Sequence, residues 1–249
     1  MHNIPKFVYY DNQTAMPTSD KTHDQILTAA TNVIMRLGYD KTNMSDVAAE
    51  SGLSRRTLYL HFKGKDDLFE AIVYREWLRY AQAWIEFVEL DPRGGTLGGC
   101  FRATIRAVNG LPFLAFVMRR DRRVLGNYLR KPDNLFAWLQ TGVVGIDFIR
   151  ALQAAGAVRS DIDPGVIAHL IDLLGYGQLS IGEYKPAEQS PPIETIMEVI
   201  AEMVDRQFSP ADGGNSDAGK TVIRQIVTTG KARVIDSRKT FERASHEME

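Results

Sequence analysis

Apolar residues in the first third of the chain recur at helical spacing. Ile26, Leu27, Ala30, Val33, Ile34 and Leu37 share one helix face. Thr22 and Gln25 have the capping-box spacing that would open this helix, and Gly38 would close it. A shorter helix is predicted from Asn43 to Ser51, burying Met44, Val47 and Ala48. It stops at Gly52, the residue type that takes a left-handed C-cap without steric cost. Only Leu53 separates that stop from Ser54, whose hydroxyl can cap a third helix over 55–62 with Leu58 and Phe62 inward. Beyond Gly64, the residues Leu68, Phe69, Ile72 and Trp77 mark a long fourth helix reaching about Leu90.

The rest of the chain keeps the same period. A glycine-rich turn (Gly94, Gly95, Gly98, Gly99) leads into Phe101, Ile105 and Val108, and Pro112, Pro132 and Pro164 are placed as helix starts. No stretch alternates with period two between turn pairs, so the expected class is all-α. The stretch 166–181 is apolar nearly all round, which requires cover on two sides. A helix beginning at Pro192 carries Ile196, Met197, Ile200, Met203 and Val204 on one face. Segments 165–184 and 192–208 are therefore expected to form half of a four-helix bundle between two copies of the chain. The predicted organisation is an arm over 1–20, a three-helix head over 21–68, a larger helical domain over 69–209, and a linker and tail over 210–249 in which Val222, Ile223, Ile226 and Val227 allow one short helix.

Charge changes this picture only locally. The 249 residues include 30 Lys and Arg against 31 Asp and Glu, a net charge of -1, so no whole-molecule field draws in polyanions. From Lys41 to Lys65, however, five basic residues (Lys41, Arg55, Arg56, Lys63, Lys65) face two acidic ones (Asp46, Glu50), giving +3. That is a local footprint for phosphates. The single cysteine, Cys100, excludes an internal disulfide framework and a CxxC pair, and the reducing cytoplasm is the expected compartment. The first 20 residues lack the apolar core of a secretory signal, and no apolar run reaches the ~18 residues of a membrane helix. The five histidines show no metal-binding spacing, so neither metal nor cofactor is expected.

A helix, a sharp glycine turn and a second capped helix form the helix-turn-helix plan, in which the second helix enters a major groove. With Arg55 at zero and ~100° per residue, Leu58 and Phe62 lie near ~300° and ~340°, while Arg56, Thr57, Leu60 and His61 lie between about 100° and 240°. Lys65 begins the following helix, where a cation opposes the helix dipole unless a phosphate sits there too. The stretches Thr22-His-Asp-Gln-Ile-Leu-Thr-Ala-Ala, Gly38-Tyr-Asp-Lys-Thr-Asn-Met-Ser-Asp-Val-Ala, Gly52-Leu-Ser-Arg-Arg-Thr-Leu-Tyr-Leu-His-Phe and Lys63-Gly-Lys-Asp-Asp-Leu-Phe, in this order and spacing, closely resemble the DNA-binding head of the TetR family of bacterial transcription regulators. The resemblance implies base contacts by Arg55, Arg56 and Thr57, and phosphate contacts by Thr42, Ser54, Tyr59, His61 and Lys65. Arg56 is bulkier than the residue most members carry there. The resemblance further implies a homodimer on a near-palindromic DNA operator, a repressor released by a small-molecule effector. The effector and its contact residues are not readable from the sequence.

Two other classes compete. Gly214 to Thr221 fits the phosphate-loop pattern GxxxxGK[ST], the best argument for a nucleotide-using enzyme. That chemistry needs a loop between a buried strand and a helix, and this one follows a helix with about forty residues remaining, so no enzyme is expected. The other class is a helical interaction module that binds no DNA. Arg119, Arg120, Arg122 and Arg123 read as a solvated face, as an anion anchor or as a contact with the head. Trp84, Phe101, Phe113, Phe116, Phe136, Trp138 and Phe148 supply apolar wall between Trp77 and Ile162, most of it core.

Overall fold

The computed structural model describes residues 18–131 and 145–228. Among these there are helices and turns and no strand. Helices α1 (Thr18–Leu37), α2 (Met44–Ser51), α3 (Arg55–His61) and α4 (Lys65–Leu90) are followed by α5 (Leu97–Asn109), α6 (Pro112–Arg119) and α7 (Arg122–Leu125), with a 3-10 turn over Gly126–Arg130. Then come α8 (Ile146–Ala154), α9 (Pro164–Ser180), α10 (Ile193–Phe208) and α11 over 216–228. The helix start expected at Pro132, and the side chains of Phe136 and Trp138, lie outside the described residues. Two compact units emerge, one of residues 18–78 with 111–131, the other of 79–110 with 145–228.

In the first unit the apolar faces read from the sequence form the core. Ile26, Val33, Ile34, Val47, Leu58, Leu68, Phe69 and Ile72 are all buried. Thr22 is not a cap, because α1 begins at Thr18 and carries it inside the helix. Gln25, the other half of that pattern, instead sends its amide to the Ser51 carbonyl at 2.8 Å and ties α1 to the end of α2. Arg75 ties α4 to α1. Its guanidinium, nearly buried beside Glu76, donates to the hydroxyls of Thr28 and Thr31 at 3.0 Å each.

Residues 111–131 pack on the head through backbone and rings. Gly38 ends α1 with φ of 79°, and a Cβ there would stand 2.6 Å from the Arg123 carbonyl oxygen. The next amide, Tyr39 N–H, donates to the Val124 carbonyl at 2.8 Å. The Tyr39, Phe69 and Tyr128 rings then meet at centroid distances of 4.4–5.4 Å.

The second unit turns on its glycines. Gly98 lies in the first turn of α5 against α10, where a Cβ would stand 2.2 Å from the Ala201 carbonyl oxygen. Asp205 of α10 is buried and accepts from Gly98 N–H at 2.7 Å, from the Thr96 hydroxyl at 3.1 Å and from the Arg93 guanidinium. One carboxylate thus satisfies orphan donors at the start of α5 and a cation together. Around the same turn Arg102, itself buried, bridges Asp91 and Glu198 at 2.7 and 2.8 Å.

Gly98→Ala forces backbone or helix displacement and should destabilise the protein by about 1–3 kcal/mol. Gly110→Ala, where the backbone is right-handed and a Cβ meets only the Ala107 carbonyl oxygen at 3.6 Å, should leave stability equal or higher. Urea unfolding of the Gly98→Ala and Gly110→Ala variants checks this, and a Gly98→Ala midpoint equal to wild type would refute the close packing.

Candidate nucleic-acid interface

The interface is built by α2, α3 and the start of α4. Asn43 caps α2, its Oδ1 accepting from the amides of Ser45 and Asp46 at 2.9 and 3.0 Å while Asp46 accepts from Asn43 N–H at 3.1 Å. Gly52 closes α2 in the left-handed region with φ of 68°. Two residues later the Ser54 hydroxyl accepts from Thr57 N–H at 3.0 Å and opens α3. Leu58 is wholly buried and Phe62 nearly so, which fixes the roll of α3 about its axis. The rest of its circumference carries Arg55 and Arg56, both exposed, with Thr57 half-buried, Tyr59 48% exposed and Leu60 77% exposed. The expected base-edge residues and Tyr59 thus share an outward arc.

The remaining expected positions divide. His61 is half-buried, its ring 6.2 Å from that of His23, so part of it packs within the head. Ser54 is exposed, and its oxygen already serves as the α3 cap and lies 2.9 Å from the Thr57 hydroxyl. Thr42 is a correction. Its side chain is 3% exposed, and its hydroxyl donates to the Gly38 carbonyl at 2.8 Å. The reason is geometric: the left-handed turn at Gly38 leaves a carbonyl inside, and Thr42 satisfies it. Its hydroxyl closes the turn and does not face outward.

Lys65 is the first residue of α4 and does not extend freely. Its ammonium donates to the Tyr39 carbonyl at 2.9 Å and lies 4.3 Å from the Tyr39 ring centroid. One hydrogen of three is thereby directed inward. The Tyr39 hydroxyl in turn donates to Asp66, which also receives Lys131. Burial first, then the hydrogen bond to Asp66, push the Tyr39 phenol up to about 12. Although burial acts to raise it, Asp66 is held below the ordinary carboxylate value, since the bonds from Lys131 and Tyr39 outweigh burial. Tyr39 and Lys131 were not singled out by the sequence reading. Tyr39 lies 27 residues from Asp66 and Lys131 lies 65 from it, so no local spacing announces the cluster.

Features outside this face resolve differently. In the phosphate-loop stretch, Lys220 is buried and its ammonium donates to the Glu89 carbonyl at 3.2 Å. A Cβ on Gly219 would stand 2.0 Å from the Gly95 carbonyl oxygen, and Ser216 accepts from Gly95 N–H at 3.1 Å. These residues dock α11 onto the turn between α4 and α5. The short helix that the apolar residues of the tail allow runs over 216–228, with Ile223 and Val227 buried and Arg224 paired to Glu89 at 2.7 Å. Cys100 is buried with its thiol pushed far up by burial, and its Sγ donates to the Gly94 carbonyl. Arg123 pairs with Asp121 at 2.6 Å, and the backbone carbonyls of Arg123 and Val124 face Gly38 and Tyr39 of the head. Trp84, Phe101, Phe113 and Phe148 are buried core. Among the described residues no cluster of His, Cys, Asp and Glu could hold a metal, and no single helix is long and apolar enough to cross a membrane.

A capped, cation-bearing second helix after a one-residue glycine turn defines a helix-turn-helix DNA-binding head. Residues 26–72 match the family model for bacterial regulatory proteins of the tetR family. Over those residues the head is similar to that of the TetR family of helix-turn-helix transcriptional regulators. It is 43% identical to the regulator YfiR of Bacillus subtilis over 54 residues, a match covering 22% of this chain and about a quarter (26%) of that relative. It is 24% identical to the transcriptional repressor Rv1474c of Mycobacterium tuberculosis over 186 residues, 73% of this chain and 92% of that one. The fold is shared with the regulator FadR of Bacillus subtilis, solved with stearoyl-CoA, at a TM-score of 0.56 and 18% identity over 73% of this chain and 97% of that one.

Glu70 offers a check on the polar cluster. Its carboxyl accepts from the Tyr128 hydroxyl at 3.0 Å and is raised above its ordinary value, first by burial and then by the charges of Asp67 and Asp66. A raised folded value means that its contribution to stability is full below the ordinary carboxyl range and is lost as pH rises through the folded value. Glu70→Gln keeps an acceptor for Tyr128 and removes the titration. The stability of wild type minus that of Glu70→Gln, from urea midpoints, should therefore fall as pH rises from about 4 to 7. A flat difference would refute the assignment.

Proposed function

We propose that the chain acts as a homodimer that represses transcription by holding two copies of α3 in successive major grooves of a near-palindromic operator, and that a small-molecule effector releases it. The observation that carries this reading is the outward arc of α3, where Arg55, Arg56, Thr57 and Tyr59 reach the surface while Leu58 is buried. Arginine forks match guanine O6 and N7, and Thr57 adds a hydroxyl at the same base edges. Tyr59, His61, Ser54 and Lys65 flank them as phosphate donors, with Lys65 held by Tyr39 for that purpose.

Dimerisation is supported by what α9 and α10 leave uncovered. Val166, Leu170, Leu173 and Tyr176 form an exposed stripe on α9, and Val199 and Met203 are half or more exposed on α10. A second copy covers such a face by isologous packing. Half-site centres then lie about 34–36 Å apart or a multiple of that. Repression follows the sense of Rv1474c, the relative similar over most of both chains. The effector acts by favouring a head separation mismatched to the operator, and a coupling of ~1–3 kcal/mol changes occupancy severalfold or more. The protein works where its operator is, in the cytoplasm, as a regulator and not as an enzyme. The buried Lys220 supports the same reading against a nucleotide site.

Selection of binding sites from random duplex DNA by the purified full chain tests the proposal, since enrichment of no palindrome would overturn it. On the selected site, Arg55→Ala should cost about 1–3 kcal/mol and relax the preference at one symmetric base-pair position. Lys65→Met should weaken all sequences alike and reduce the slope of log affinity against log salt by about 0.9 per subunit. A salt titration showing equal slopes for Lys65→Met and wild type would remove Lys65 from the interface.

A further inference from the structure

Leu60 is the most exposed large apolar side chain of the head, at 77%. It lies four residues after Arg56 and three after Thr57, so it shares their face, one turn further along α3. It faces away from Leu58, which is wholly buried and anchors the other side. A scattered surface leucine elsewhere needs no account, but this one stands among the donors that the proposed function aims at base edges.

The chemistry around Leu60 selects its occupant. An apolar protein surface would have to desolvate Arg55 and Arg56 without supplying acceptors, at high cost. The major groove offers dense acceptors for the arginines and, on the same surface, one apolar group, the 5-methyl of thymine. Duplex DNA is the partner that satisfies both kinds of side chain at once, and the local charge of +3 over Lys41 to Lys65 favours it. We infer that Leu60 is a specificity-determining residue that reads a thymine 5-methyl group in each operator half-site. It does so about two base-pair steps from the base read by Arg56, since four helical residues rise ~6 Å and base pairs stack at ~3.4 Å. This inference rests on the proposed DNA-binding function and adds an apolar reader to its polar ones.

The test replaces thymine by deoxyuridine, which removes only the methyl, one symmetric pair at a time in a duplex selected by the full-length protein. At one pair, wild-type affinity should fall about fourfold per half-site, the worth of one buried methyl. Leu60→Ala should bind the thymine duplex correspondingly more weakly and be indifferent to the swap at that pair. Arg56→Ala should keep the methyl sensitivity, and Leu60→Asn should lose it. The inference is overturned if wild type and Leu60→Ala show the same deoxyuridine response at every thymine, or if wild type responds at none. Selection of no site at all overturns the regulator reading, and this inference with it, and is thereby distinguishable from failure of the Leu60 contact alone.

Discussion

A single residue, Leu53, lies between the left-handed Gly52 and the capping Ser54, and that brevity decides where α3 points. Glycine takes the reversed φ at no steric cost, and the serine hydroxyl captures the free amide of Thr57 in the first turn of the next helix. Neither device sets the roll of α3 about its own axis. That is done by Leu58 and Phe62, buried against the head core. With two turns of helix and one anchored side, every donor on the other side is committed outward. A longer or looser connection would leave a seven-residue helix without a defined face, because helices this short are not stable alone.

A second constraint acts on the cation that begins α4. Lys65 has its ammonium on the Tyr39 carbonyl and ring, and Tyr39 is itself held from three directions. Its amide is bonded to Val124, its hydroxyl to Asp66, and its ring to Phe69 and Tyr128. The position of a surface lysine is thus set by interior packing and by residues 121–131. This gives the cation lower conformational freedom than a solvated lysine has, so binding of a phosphate there, as proposed, would cost less entropy.

Much of this was legible in the sequence because its determinants are local. The α2 stop, the Ser54 cap, the buried Leu58 and the arc of Arg55, Arg56, Thr57 and Tyr59 all follow from spacing within about twenty residues. The same holds for the helix starts at Pro112, Pro164 and Pro192. What spacing could not reach are partners distant in the chain. Thr22 and Gln25 satisfied a local rule, yet Gln25 is claimed by Ser51 and α1 runs on through Thr22. Thr42 was grouped with outward donors by resemblance, but the carbonyl of Gly38 lies within its reach and takes its proton. The glycines at 94, 95, 98 and 99 read only as a turn, whereas their role at 95 and 98 is close backbone approach to α11 and α10. Close approach depends on which helices meet, and one sequence does not state that.

The charges at the helix starts complete the argument. α2 follows the ordinary rule, with Asp46 in its first turn where the helix dipole is positive at its N-terminus. α3 inverts it: its first turn holds Arg55 and Arg56 and no acid. Like-signed charge there costs a few tenths of a kcal/mol per residue in the free protein, and exposure to salt screens part of it. At α4 the first turn is mixed, Lys65 being offset by Asp66 and Asp67. The free head therefore carries an unfavourable field at the one helix whose donors face outward. Acceptor oxygens and phosphates brought to α3 relieve that field as well as forming new bonds. The same arrangement that slightly destabilises the isolated head strengthens its binding to a polyanion, which accounts on physical grounds for basic residues where a stability rule alone would place acids.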